Sequence, residues 1–119
     1  MKKRYPKIND GLMGKLTHAI LARDGFKCVY CGLEGSELSH WLHLSVDHLL
    51  PKGHANRENP EFVVTACRFC NGTRNRTLFD VNGKPRKELI DQKRPVVLER
   101  RKQYEDYWNQ KVRTNRGKK

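Results

Sequence analysis

The chain has 119 residues, 36% of them hydrophobic, which leaves room for one small domain whose thin core needs an added staple such as a metal. Its 25 Lys and Arg against 13 Asp and Glu leave a formal charge of +12, a density that favours a polyanionic partner, with nucleic acid the natural candidate. No apolar run approaches a membrane span, so no membrane partner is expected, and the basic start from Met1 to Tyr5 lacks the apolar stretch of a secretory signal, so a cytosolic, thiol-reducing setting is expected.

In chain order, Leu12, Leu16, Ala19, Ile20 and Leu21 recur at helical spacing and predict a helix over residues 12–23, stopped by Asp24-Gly25. Cys28-Val-Tyr-Cys31 follows, and Cys67-Arg-Phe-Cys70 repeats the spacing later in the chain. Two such turns each present a pair of thiolates, and together Cys28, Cys31, Cys67 and Cys70 complete a tetrahedron around one zinc ion. Four sulfur ligands leave no open position for water or substrate, so this zinc is expected to be structural. Paired disulfides are the alternative, disfavoured by a reducing compartment.

Between the cysteine pairs, Leu42, Leu44 and Val46 alternate with His43, Ser45 and Asp47, predicting a strand that ends at His48. A second strand is expected over residues 62–65, reached through a turn-rich loop from Pro51 to Pro60. The sequence turns helical after Cys67, which sets Asn71 and Asn75 four apart on one face, able to converge on one ion. Asp47 is then placed to hold a hard cation such as magnesium through oxygen, and His48 to work on a proton. His54, Arg74 and Arg76 are candidate phosphate contacts, whereas His18, His40 and His43 read as surface or packing residues. From Pro95 a helix over about 95–112 carries Val97, Tyr104, Trp108 and Val112 along one side. That stripe reads as core packed back on the domain; stacking on nucleic-acid bases is the other use of the same rings. Residues 114–119 form a basic tail expected to be disordered.

The string Cys28-x-x-Cys31, Asp47-His48-Leu-Leu-Pro51, Cys67-x-x-Cys70-Asn71 resembles the HNH endonucleases, over residues from about 23 to 76. The resemblance implies an α+β fold, a small ββα-metal core with a structural zinc, flanked by N-terminal and C-terminal helices in a single domain over residues 1–113. It implies a metal-dependent DNA endonuclease in which His48 is the general base that activates water, and Asp47, Asn71 and Asn75 bind a magnesium ion or another divalent cation. Cleavage leaving a 5′-phosphate and a 3′-hydroxyl, and a phage or mobile-element setting in a bacterial host, belong to the same implication. One position departs from the pattern: the family's middle Asn falls at Phe62, which cannot orient an imidazole, leaving Asn59 or a backbone carbonyl for that task. Two other readings stay open, a non-catalytic zinc-ribbon module that binds DNA, and a weak nuclease acting within a phage terminase assembly.

Overall fold

The computed structural model describes residues 14–72 and 80–113 and shows an α+β fold: a two-stranded antiparallel sheet with helices packed around it. Helix α1 (Lys15–Arg23) buries Thr17, Ile20 and Leu21 and ends where the sequence predicts, as Gly25 adopts φ 72° and the chain reverses. A short helix α2 (Leu38–Trp41), not expected from the sequence, leads into strand β1 (Leu44–His48), so the strand starts at Leu44 and Leu42 is exposed. A single 3₁₀ turn over Pro60–Phe62 precedes strand β2 (Val63–Cys67), which pairs Leu44 with Cys67 at one end and His48 with Val63 at the other.

All five residues of β2 are buried, which explains why the run Val63-Val64-Thr65-Ala66 shows no polar alternation. Its outer edge does not stay open to a further strand. Asp24 accepts a hydrogen bond from the Thr65 N–H at 2.8 Å, Val29 N–H donates to the Thr65 carbonyl at 3.0 Å, and Arg23 donates to the Val63 carbonyl at 2.7 Å. The loops around the first cysteine pair are thereby stitched to the sheet that carries the second.

Helix α3 (Arg68–Asn71) is one turn, begun by Cys67 and closed at Gly72. Helix α4 runs from Arg86 to Tyr107 and continues as a π-helical turn over Trp108–Val112. The expected start at Pro95 is thus corrected, since Pro95 lies inside the helix, where its missing N–H and its ring cost about 3 kcal/mol. Contacts on both sides hold the helix through it: Leu89, Lys93 and Val97 are buried, and Arg94 donates to the Val29 carbonyl at 3.0 Å. The buried stripe has a lysine in the middle, so the sequence pattern hides the first turns of the helix.

The expectation that Tyr104 and Trp108 pack into the core is also corrected, because they are 56% and 43% exposed. Among the described residues no helix is long and apolar enough to cross a membrane. The expected tail at 114–119 lies outside the described residues, as do Leu12, Arg74, Asn75 and Arg76.

Candidate active site and metal clamp

The first cysteine turn is shaped by backbone bonds: Cys28 N–H donates to the Leu33 carbonyl at 2.9 Å, and Gly32, at φ 80°, donates to the Cys28 carbonyl at 3.0 Å. In the second turn Cys67 ends β2, and its sulfur accepts the Cys70 N–H at 3.5 Å. The fold brings the four sulfurs within 4.8 Å of one another, with Cys31 and Cys67 at 3.8 Å, and none is in a disulfide. A tetrahedron with zinc–sulfur bonds of about 2.3 Å has edges of about 3.8 Å, so Cys28, Cys31, Cys67 and Cys70 can hold one zinc ion with little movement.

Their protonation fits that role. Hydrogen bonds from the Cys67 and Cys70 thiols hold Cys28 far below the ordinary thiol value, while the same pairing with Cys28 pushes Cys67 up to about 11 and Cys70 higher still. The Cys28 thiolate is shared by Cys67 and Cys70, and a dication would favour ionisation of those two as well. Zinc must then displace protons from Cys67 and Cys70 at neutral pH, so its affinity should rise with pH and fall about tenfold per unit of acidification for each proton displaced. Competition titrations against a zinc chelator at several pH values should show that positive slope; a flat profile would mean that the sulfurs do not bind the ion.

At the end of β1 the alternation of side chains sends Asp47 and His48 to opposite faces. Asp47 points inward and is 5% exposed. Its Oδ2 accepts the Tyr30 hydroxyl at 2.6 Å and the Lys93 ammonium at 2.7 Å, and Lys93 is itself buried. Burial first, and then the Asp47 charge, push the Tyr30 phenol far above its ordinary value, so it remains a neutral donor. Sequence reasoning missed both partners. The available signals were the position of Tyr30 between two ligand cysteines, and that of Lys93 at the spacing of Leu89 and Val97.

His48 lies on the other face, only partly exposed, with Nε2 3.0 Å from Glu58 Oε2; Arg57 donates to the second oxygen of Glu58 at 3.2 Å. A carboxylate at one ring nitrogen orients the imidazole, the task expected of Asn59 or a backbone carbonyl. The side chain of Asn59 caps the turn instead, accepting the Glu61 N–H at 3.0 Å, and Phe62 contributes its carbonyl to Leu49 N–H at 2.9 Å. No spacing rule picks Glu58 out of a polar loop, and nothing local distinguishes it from its neighbours.

Asn71 is brought against β1, its amide nitrogen donating to the Ser45 hydroxyl at 3.0 Å and the Val46 carbonyl at 2.9 Å. Ser45 and Asp47 share a strand face, so Asn71 belongs to the Asp47 side. His54 stays in its loop, where Nδ1 accepts the Asn56 N–H at 3.0 Å, beside a cavity of about 380 Å³ bounded by Phe62 and Lys84. Of the expected cation ligands, then, Asp47 and Asn71 are on one side of the sheet and Asn75 is outside the described residues. The arrangement does not fit a divalent ion at Asp47 Oδ2 as it stands, because an ammonium already lies 2.7 Å from that oxygen.

No protein-family model, no curated protein and no solved structure matches the chain.

Proposed function

We propose that the chain is a DNA endonuclease of the HNH kind, a ββα-metal core stapled by zinc, in which His48 is the general base. The observation that carries this reading is the His48–Glu58 pair at 3.0 Å, with His48 on the strand that lies along the chain between the two cysteine pairs. Imidazole is the side chain able to take a proton near neutral pH, and Glu58 stabilises the imidazolium that results. In this reading the His48 imidazole accepts the proton from water as the water oxygen bonds to phosphorus and the ester oxygen leaves. The formal charge of +12 draws the polyanion to the domain.

A divalent cation at this site would neutralise charge on the phosphate and the leaving oxygen. Asp47 and Asn71 are the residues proposed to meet it, yet Lys93 supplies the positive charge at Asp47 in this arrangement, so no step is routed through a metal. The same ion pair favours a second reading, a zinc-stapled module that binds DNA without cutting it.

Supercoiled plasmid separates the two. Zinc-loaded protein is incubated with and without added magnesium or manganese, avoiding strong chelators that would strip the clamp, with His48→Ala alongside. Nicked or linear product is expected, lowered by about 10²–10⁴-fold in His48→Ala. Binding without cleavage under every condition would establish the non-catalytic module, and undiminished cleavage by His48→Ala would remove this residue from the mechanism.

A further inference from the structure

The outer half of α4 and the turn that follows it present an aromatic face that the core does not cover. Tyr104, Tyr107 and Trp108 are all exposed, and with Phe69 of the second cysteine turn they border an open groove of about 570 Å³. Phe69 and Tyr104 meet edge to face at 5.0 Å. Flat cations already lie over these rings: the Arg100 guanidinium is 4.2 Å from the Phe69 centroid and 5.2 Å from that of Tyr104, and Arg113 is 5.6 Å from Trp108. Residues 100–113 carry five Lys and Arg against two acids.

This pairing of ring faces with positive charge narrows the occupant. A second copy of the chain would bring another +12 against the same basic helix, and like charge opposes that approach. An acidic partner without flat apolar groups would leave the rings wet. A nucleic acid offers both phosphates and base faces, but in a duplex the faces are stacked on one another, and only unpaired nucleotides present them to a protein. We infer that the groove between Phe69 and Trp108 binds single-stranded or locally unpaired DNA, with bases stacked on Tyr104 and Trp108 and phosphates met by Arg100, Arg101 and Arg113. The inference rests on the reading that DNA is the partner, and it adds a strand-holding surface on a different element from His48. The π-helical turn at Trp108–Val112 widens the helix where this surface ends, a distortion that recurs at functional sites.

The test measures binding of a labelled oligothymidylate and of a duplex of equal length by fluorescence anisotropy, at one fixed salt concentration. All proteins carry His48→Ala so that no probe is cut. Tyr104→Ala with Trp108→Ala is expected to weaken single-strand binding by about ten- to a hundredfold, while duplex binding, carried by phosphate contacts, changes little. Tyr104→Phe with Trp108→Phe keeps the rings and should keep the affinity. Unchanged single-strand binding, or an equal loss for both probes, would overturn the inference. So would a concentration-dependent dimer in sedimentation that the alanine changes abolish, since the face would then be a self-interface. Failure of plasmid cleavage together with ring-dependent single-strand binding would sink the nuclease reading alone; cleavage by the native chain with ring-independent binding would sink this one alone.

Discussion

Cys67→Ser is expected to unfold most of the domain at ordinary temperature. The Cys67 sulfur accepts the Cys70 N–H, and a serine hydroxyl can accept it in turn, so the cap changes by less than about 1 kcal/mol. Losing zinc costs far more, because a structural zinc site contributes about 10–16 kcal/mol of apparent binding energy, against a total stability of about 5–15 kcal/mol for a domain of this kind. The clamp also joins the turn after α1 to the end of β2, which are otherwise far apart in the chain. Thermal unfolding followed by circular dichroism, with metal content measured on the same samples, should show one zinc and a cooperative transition for the native chain and neither for the variant. A chelator should reproduce the variant. An unchanged transition would show that the cysteines pack as ordinary side chains.

Lys93→Met should be the second most damaging change. It leaves Asp47 buried with the Tyr30 hydroxyl but without its cation, and removing one partner of a buried pair costs about 3–5 kcal/mol. Adding Asp47→Leu should recover most of that loss, because the pair has no intrinsic advantage over apolar side chains of similar volume. Urea unfolding of the two single variants and the double variant closes the cycle; a double variant as unstable as the sum of the singles would mean that the two residues act independently. The same proteins bear on the cation. Magnesium that stabilises Lys93→Met and leaves the native chain unaffected would mark Asp47 as a cation seat that the lysine normally fills.

Features set by neighbouring residues were legible in the sequence. The two cysteine turns, the stop at Asp24-Gly25 and the strand ending at His48 depend on spacing and local conformation, and they recur in the structure. Features set by a distant partner were not. Lys93 occupies an apolar position because Asp47 faces it across the core, and without that partner the stripe from Leu89 to Val97 looks broken, which moved the expected helix start to Pro95. Tyr104 and Trp108 keep helical spacing beyond the point where the domain ends, so periodicity could not report their exposure. Glu58 meets His48 through the course of a loop, which composition does not encode.

Helix α4 is tied to both halves of the clamp, since Arg94 donates to the Val29 carbonyl in the first cysteine turn and Arg100 to the Phe69 carbonyl in the second, at 2.8 Å. The groove proposed to hold DNA is therefore built partly on one of the cysteine turns, which would couple it to an ion held there. Thermodynamic reciprocity makes that dependence run both ways: whatever factor zinc adds to the affinity for a strand on this helix, the strand adds to the affinity for zinc. Where zinc strengthens the hold on a strand, nucleic acid raises the equilibrium affinity for zinc by the same factor.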